Sequence, residues 1–255
     1  MPEAPLNARS VILSTLLGTE PPRLPVAQLV RAAALFGISE GTTRTSLSRM
    51  SSRGEVVRDG DGRYALAGSL LDRQARQRAS RRAEQLEWNG RWRQAVVTAD
   101  ERSAADRAAL RTAMRTLRLA EQREGVWLRP DNLEGLSSDS EARHVVDAQC
   151  RWSSAYPDLD DAQLAAALWD LDGWAARATE LRRELAGLLP ALARDDTAAL
   201  APGFVVSAAV LRHFQADPLL PIELSPRSWP GPRLRSDYER FDTAYRSVLR
   251  RWLLV

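Results

Sequence analysis

Between Ser39 and Leu66 the chain sets hydroxyl and guanidinium side chains at short intervals. Thr42, Thr43, Arg44, Thr45, Ser48, Arg49 and Arg53 come first, and Arg58 and Arg63 follow on either side of the turn DGDG. Side chains of these types suit non-covalent recognition of phosphates and base edges. A short hydroxyl approaches either one closely, and a guanidinium forks onto a phosphate or onto the O6 and N7 of guanine. The spacing favours the same chemistry. At about 3.6 residues per turn, Thr43, Leu47 and Met50 fall on one stripe, the side for burial. Thr42, Thr45, Ser48, Arg49 and Ser52 face the other way, with Arg44 on the flank. Solvated helix faces usually interleave Glu with Arg at i,i+4, whereas Glu40 is the lone acid here. The nine residues named first, Thr43 among them, are the candidate nucleic-acid contacts. The competing reading is a helical module for protein contacts.

Covalent chemistry has less support. Only two histidines, His144 and His213, and one cysteine, Cys150, occur, and they do not cluster, so no zinc site is expected. Neither a P-loop nor a G-x-G-x-x-G run is found, and no cofactor is expected. The acids DLDD at 158–161 are read as a helix start, with carboxylates near the positive end of the dipole, before any metal role. Asp100, near a strand end, is the one carboxylate to name for a metal-dependent nuclease. A single cysteine forbids an internal disulfide and fits a reducing cytoplasm. The opening MPEAPLNARS lacks the pattern of a signal peptide. No uninterrupted apolar run of about 18 residues suggests a membrane span. A soluble cytoplasmic protein without enzymatic activity is expected.

Charge and punctuation then place the candidates on elements. Residues 1–83 carry 13 Arg and 7 acids, and residues 84–255 carry 23 Arg and 26 acids. A basic front and a mildly acidic back suit one nucleic-acid-binding part and one that is not. All 36 basic residues are Arg. ARSVILSTLL at 8–17 reads as a helix, TEPPRLP as a break, Val26–Phe36 as a second helix closed by Gly37, and Glu40–Arg53 as a third capped by Ser39. EVVR and RYAL around DGDG read as a hairpin. Three helices and a hairpin predict a winged helix-turn-helix, with its third helix in the major groove. Residues 70–87 read as a long helix, either a solvated connector or an added phosphate-contacting surface. RWRQAVVTA reads as a strand, SAADRAALRTAMRTLRLA as a helix, GVWLR as a strand, and residues 143–152 as a further strand. This order suits a ferredoxin-like unit. From Asp161 the chain reads as helical again, up to a proline-rich connector, DPLLPIELSPRSWPGPRL, and a closing amphipathic helix, SDYERFDTAYRSVLRRWLL. Eight Trp are present, most of them expected as core or interface anchors.

Three stretches carry a resemblance to a known family: FGISEGTTRTSLSRMSSRGEV with GRYAL, WNGRWRQAVVT with GVWLRPDNL, and DPLLPIELSPRSWPG. In this order they resemble the PaaX family, the repressors of phenylacetate catabolism and their relatives. The resemblance implies a multidomain α+β chain. Residues 1–69 would be a winged helix-turn-helix, 70–89 a linker helix, 90–155 a ferredoxin-like central domain and 156–255 a helical domain. The segment EGLSSDSEAR leaves little room for a full second helix, which allows a trimmed central unit. The resemblance also implies a homodimer on palindromic double-stranded operator DNA, released by an aryl- or acyl-CoA thioester. No residue is assigned to that effector. The alternatives are a metal-dependent nuclease, since small CRISPR-associated nucleases share the central fold type, and a constitutive DNA-binding protein without effector.

Overall fold

Asn7 and Ser39 start two of the N-terminal helices by the same device. The Asn7 side chain accepts from Ser10 N at 2.9 Å and opens α1 (Ala8–Leu17). The Ser39 hydroxyl accepts from Thr42 N at 3.2 Å and opens α3 (Glu40–Ser52). Each cap satisfies a donor that the first helical turn cannot pair internally. The structure, a computed structural model, describes residues 6–133 and 140–254. It divides into two units, one of residues 1–78, 181–210 and 235–255, the other of residues 79–180 and 211–234.

In the first unit α2 (Val26–Ala34) lies between α1 and α3 in sequence. Gly54 takes a φ of 68° directly after α3, a left-handed conformation that costs a glycine nothing. The hairpin follows as β2 (Val56–Arg58) and β3 (Arg63–Leu66), paired Val56 to Leu66 and Arg58 to Tyr64. Sequence reading treats TEPPRLP only as a break. Its second half is β1 (Arg23–Pro25), which pairs with β3 and makes a three-stranded sheet in the order β1-β3-β2. Ile12, Leu16, Leu29, Leu47, Met50, Val56 and Leu66 form the core. α4 (Ser69–Arg82) is tied to this core by Leu70 and by Gln74, whose amide donates to Leu17 O at 3.1 Å and Thr19 O at 3.2 Å. The helix expected to reach residue 87 ends at Arg82, and Ala83 turns left-handed at φ 53°.

The C-terminal helices contribute α8 (Leu171–Ala193), α9 (Leu200–Ala216) and α10 (Gly231–Leu254). Within the first unit Phe204 of α9 meets Phe36 with ring centroids 5.0 Å apart, and Trp252 of α10 lies 5.1 Å beneath the Arg31 guanidinium. Arg182 pairs with Asp237 at 2.5 Å. The Tyr245 hydroxyl donates to Leu200 O at 3.2 Å. By length and composition the segment Thr197–Gln215 could cross a membrane, at a mean hydropathy of 1.3, although Ser207, Arg212 and His213 interrupt its apolar run. Here it is a helix against α10, with the Ser207 and Tyr238 hydroxyls 2.9 Å apart.

The second unit holds β4 (Trp92–Val97), α5 (Ala104–Thr116), β5 (Ala120–Arg123), β6 (Val126–Pro130), α6 (Glu141–Gln149) and β7 (Cys150–Ala155). Its sheet runs β5-β6-β4-β7 with every pair antiparallel. Two expectations are corrected. Residues 143–149 are helix, and the strand begins only at Cys150. The second helix is thus present and the βαββαβ order is untrimmed, while residues 134–139 of EGLSSDSEAR lie outside the described residues. α5 also stops at Thr116, short of the Leu-Ala pair assigned to it, because Arg118 turns left-handed at φ 59°. α7 (Asp161–Leu168) is capped by Asp160, so part of DLDD is indeed a helix start. Asp161 accepts the indole N–H of the buried Trp92 at 2.7 Å.

Two arginines bind neutral acceptors inside this unit. Arg129 is 2 % exposed, with Nε donating to Pro130 O at 2.9 Å, Nη1 to Leu117 O at 3.2 Å and Nη2 to Asn132 Oδ1 at 3.0 Å. Burial, with the nearby charge of Arg118, pushes its pKa down to about 9, so it stays cationic at neutral pH. Arg118 donates to Asp217 O and Gln215 O at the end of α9 and to the Ser80 hydroxyl. A cation there matches the negative end of the helix dipole.

Gly203 gives a direct test of the packing between α9 and α10. A Cβ at this position would stand 2.8 Å from two carbons of the Tyr245 ring, which its hydroxyl bond holds in place. Overpacking costs about 1–3 kcal/mol, against roughly 1 kcal/mol gained by removing a helical glycine. Gly203→Ala should lower the melting temperature by a few degrees. An unchanged or higher value in a thermal melt would show that α10 yields freely.

Candidate nucleic-acid interface

α3 packs against α1 and α2 through a narrow stripe. Leu47 and Thr43 are fully buried and Met50 is 1 % exposed. The placement of Thr43 corrects its assignment as a contact. Its hydroxyl donates to Ser39 O at 2.9 Å inside the unit, so it braces the start of the helix and cannot reach a ligand. The other eight candidates are exposed.

Along the exposed side the Thr42 and Ser39 hydroxyls lie 2.8 Å apart. Arg44 Nε donates to Glu40 Oε1 at 2.7 Å, with both side chains more than half exposed. Such an i,i+4 pair contributes about 0.3–0.5 kcal/mol and gives way readily to a stronger anion. Thr45, Ser48 and Arg49 follow without a carboxylate partner among the described residues. Ser52 turns its hydroxyl back to Arg49 O at 2.9 Å, and the N–H of Arg53 donates to the same carbonyl at 3.2 Å. These bonds close the helix and leave the Arg49 and Arg53 guanidinium groups in solvent.

The hairpin is built around Asp59. Its carboxylate accepts from Asp61 N at 3.1 Å and Arg63 N at 2.8 Å, and its own N–H donates to Arg63 O at 2.9 Å. Gly62 supplies the positive φ, 75°, that the turn requires. Arg58 and Arg63 stand exposed on the two strands. Sequence reasoning missed two exposed neighbours. Val57, half exposed, lies between Val56 and Arg58 on an edge strand. Arg23 is carried by β1, a strand hidden behind its prolines in the sequence.

The hairpin is braced to α1 by Arg9, which holds Glu55 through two guanidinium nitrogens at 2.9 Å each. These bonds hold the Glu55 carboxyl below the usual carboxylate range, and the Arg53 charge helps. No group of three His, Cys, Asp or Glu placed to hold a metal exists among the described residues, and Asp100 is solvent-exposed. Burial raises the Cys150 thiol to about 11, which keeps it protonated and a poor nucleophile. The arrangement can bind anions and polar edges, but it assembles no acid–base pair around a nucleophile.

Three family models match the chain in succession. Residues 7–71 match PaaX-like protein, residues 85–163 the PaaX protein central Cas2-like domain, and residues 169–253 the PaaX-like protein C-terminal domain. Among solved structures, the uncharacterized protein Rv0674 from Mycobacterium tuberculosis is 41% identical, with a TM-score of 0.74 over 96% of this chain and 98% of that one. No curated protein matches the chain.

The Arg9–Glu55 brace sets a pH dependence. A depressed carboxylate pKa contributes stability above its unfolded value of about 4.3, and that stability is lost as pH falls through the folded value. Arg9→Ala should cost about 0.2–1 kcal/mol at pH 7 and nothing below the folded pKa of Glu55. Urea titrations at pH 7 and in acid read the difference. An equal deficit at both would place the effect elsewhere than in the ion pair.

Proposed function

The chain belongs to the PaaX family, and on that premise we propose that it is a transcriptional regulator binding double-stranded DNA through α3 and the β2–β3 hairpin. The observation that carries this reading is the exposed face of α3. Thr45, Ser48 and Arg49 are turned out by a buried stripe and followed at once by an arginine-flanked hairpin. Residues 1–69 act as a winged helix-turn-helix, with α3 in the major groove and the hairpin as its wing. Residues 70–89 link this part to a ferredoxin-like central domain at 90–155 and a helical domain at 156–255. Phosphate contacts supply affinity that falls with salt. Arg49, and Arg44 once released by Glu40, position the helix or read guanine. The family resemblance supports the finer points. The protein acts as a cytoplasmic homodimer on a palindromic operator, represses, carries out no catalysis, and is released by an aryl- or acyl-CoA thioester.

The test is an anisotropy titration on DNA from upstream of the protein's own gene. It is run at near-physiological salt with non-specific competitor, with and without a panel of thioesters. Tight binding released by one thioester is expected. Tight binding indifferent to the panel would remove the effector from the reading, and cleavage of the DNA on adding Mg²⁺ would overturn the non-enzymatic assignment. Arg49→Ala should melt like the parent and lose about 1–3 kcal/mol of operator affinity. Undiminished affinity would mean that α3 meets DNA by another face.

A further inference from the structure

α4 carries five arginines, Arg73, Arg76, Arg78, Arg81 and Arg82, and one acid, Asp72. The structure separates them. Arg78 is engaged by Glu20, Arg82 lies 4.0 Å from Glu84, and Arg81 has partners of its own. Arg73 and Arg76 are exposed and make no ion pair among the described residues. Asp72 is the i,i+4 neighbour through which Arg76 would usually be neutralised, yet the two form no salt bridge. At about 100° per residue, Arg73 and Arg76 stand roughly 60° apart, Arg73 on the flank of the face that holds Leu70 and Gln74 and Arg76 on the opposite side. Those two residues anchor the helix, Leu70 in the apolar core and Gln74 on the carbonyls that end α1. This part of α4 therefore belongs to the same unit as α3, which spans residues 1–78 at its N-terminal end. Two exposed cations with no ion-pair partner among the described residues, on a helix anchored to the core, are what a polyanion selects.

We propose that Arg73 and Arg76 form a second phosphate-contacting surface for double-stranded DNA, separate from the face of α3. The proposal rests on the DNA-binding reading given above and deepens it by splitting the work. α3 carries sequence preference, and α4 adds affinity that any duplex receives. Arg78, Arg81 and Arg82 join this surface only after releasing the partners they already have.

The experiment compares the full-length protein with its Arg73→Gln/Arg76→Gln variant. The probes are the duplex that the parent selects from a random pool and a scrambled duplex of equal length, with salt varied from about 50 to 200 mM. Each lost phosphate contact lowers the slope of log K against log salt by about 0.9. The variant should therefore weaken about twelvefold less than the parent across that range. The loss should be the same on both duplexes, leaving the ratio of their affinities unchanged. Arg73→Lys/Arg76→Lys should restore the slope, because a phosphate accepts either cation. An unchanged slope, or a loss confined to the selected duplex, would overturn the proposal while the parent still binds. If the parent binds neither duplex, the DNA-binding reading itself falls, and the proposal with it.

Discussion

The candidate site depends on the burial of one narrow stripe. Thr43, Leu47 and Met50 leave water together, and the rest of α3 must follow the rotation they impose. Burying a side chain such as Leu47 contributes about 1.5–3 kcal/mol. Turning the helix by one residue would expose it and draw Thr42 or Arg44 inward without a partner. Hydrophobic gain and charge desolvation thus select the same rotation. The hairpin inherits that geometry through Glu55, the residue just before β2, which Arg9 holds against α1. A helix face and a hairpin are fixed to one core by apolar contact on one side and an ion pair on the other.

Where local chemistry and global packing agree, the elements are readable from residue types. Asn7 and Ser39 cap, Gly54 stops a helix, and Asp59 with Gly62 makes the turn, each by rules that act over four residues or fewer. The failures have equally local causes. α6 runs straight into β7 with no Gly or Pro between them, since Cys150 both ends the helix and starts the strand at φ −133° and ψ 160°. The end of α5 depends on Arg118 taking a left-handed φ, which a non-glycine residue seldom announces. β1 hides between prolines because pairing with β3 is a tertiary fact. For the site, exposure of the arginines was legible from periodicity. The Glu40–Arg44 pair and the separation of Arg73 and Arg76 from their neighbours on α4 needed coordinates.

The second unit solves a different problem. Arg129 is a buried cation with no carboxylate bonded to it among the described residues, surrounded by the carbonyls of Leu117 and Pro130 and the amide of Asn132. Asn132, fully buried, in turn donates to Leu219 O at 2.9 Å. A network of this kind is costly when incomplete and rigid when satisfied. It ties the end of β6 to the turn after α5 and to the segment after α9 through directional bonds. A purely apolar contact would tolerate sliding there.

The contact between Phe36 and Phe204 has a consequence for how the molecule is made. The two rings are 168 residues apart in sequence, from 36 to 204. Synthesis adds about 5–20 residues per second, so the ring of Phe36 waits roughly ten to thirty seconds for its partner. During that interval the N-terminal helices carry an uncovered apolar edge in a crowded cell. Arg31 waits longer still, for Trp252. How long that edge stays uncovered is set by the pace of translation as much as by final stability.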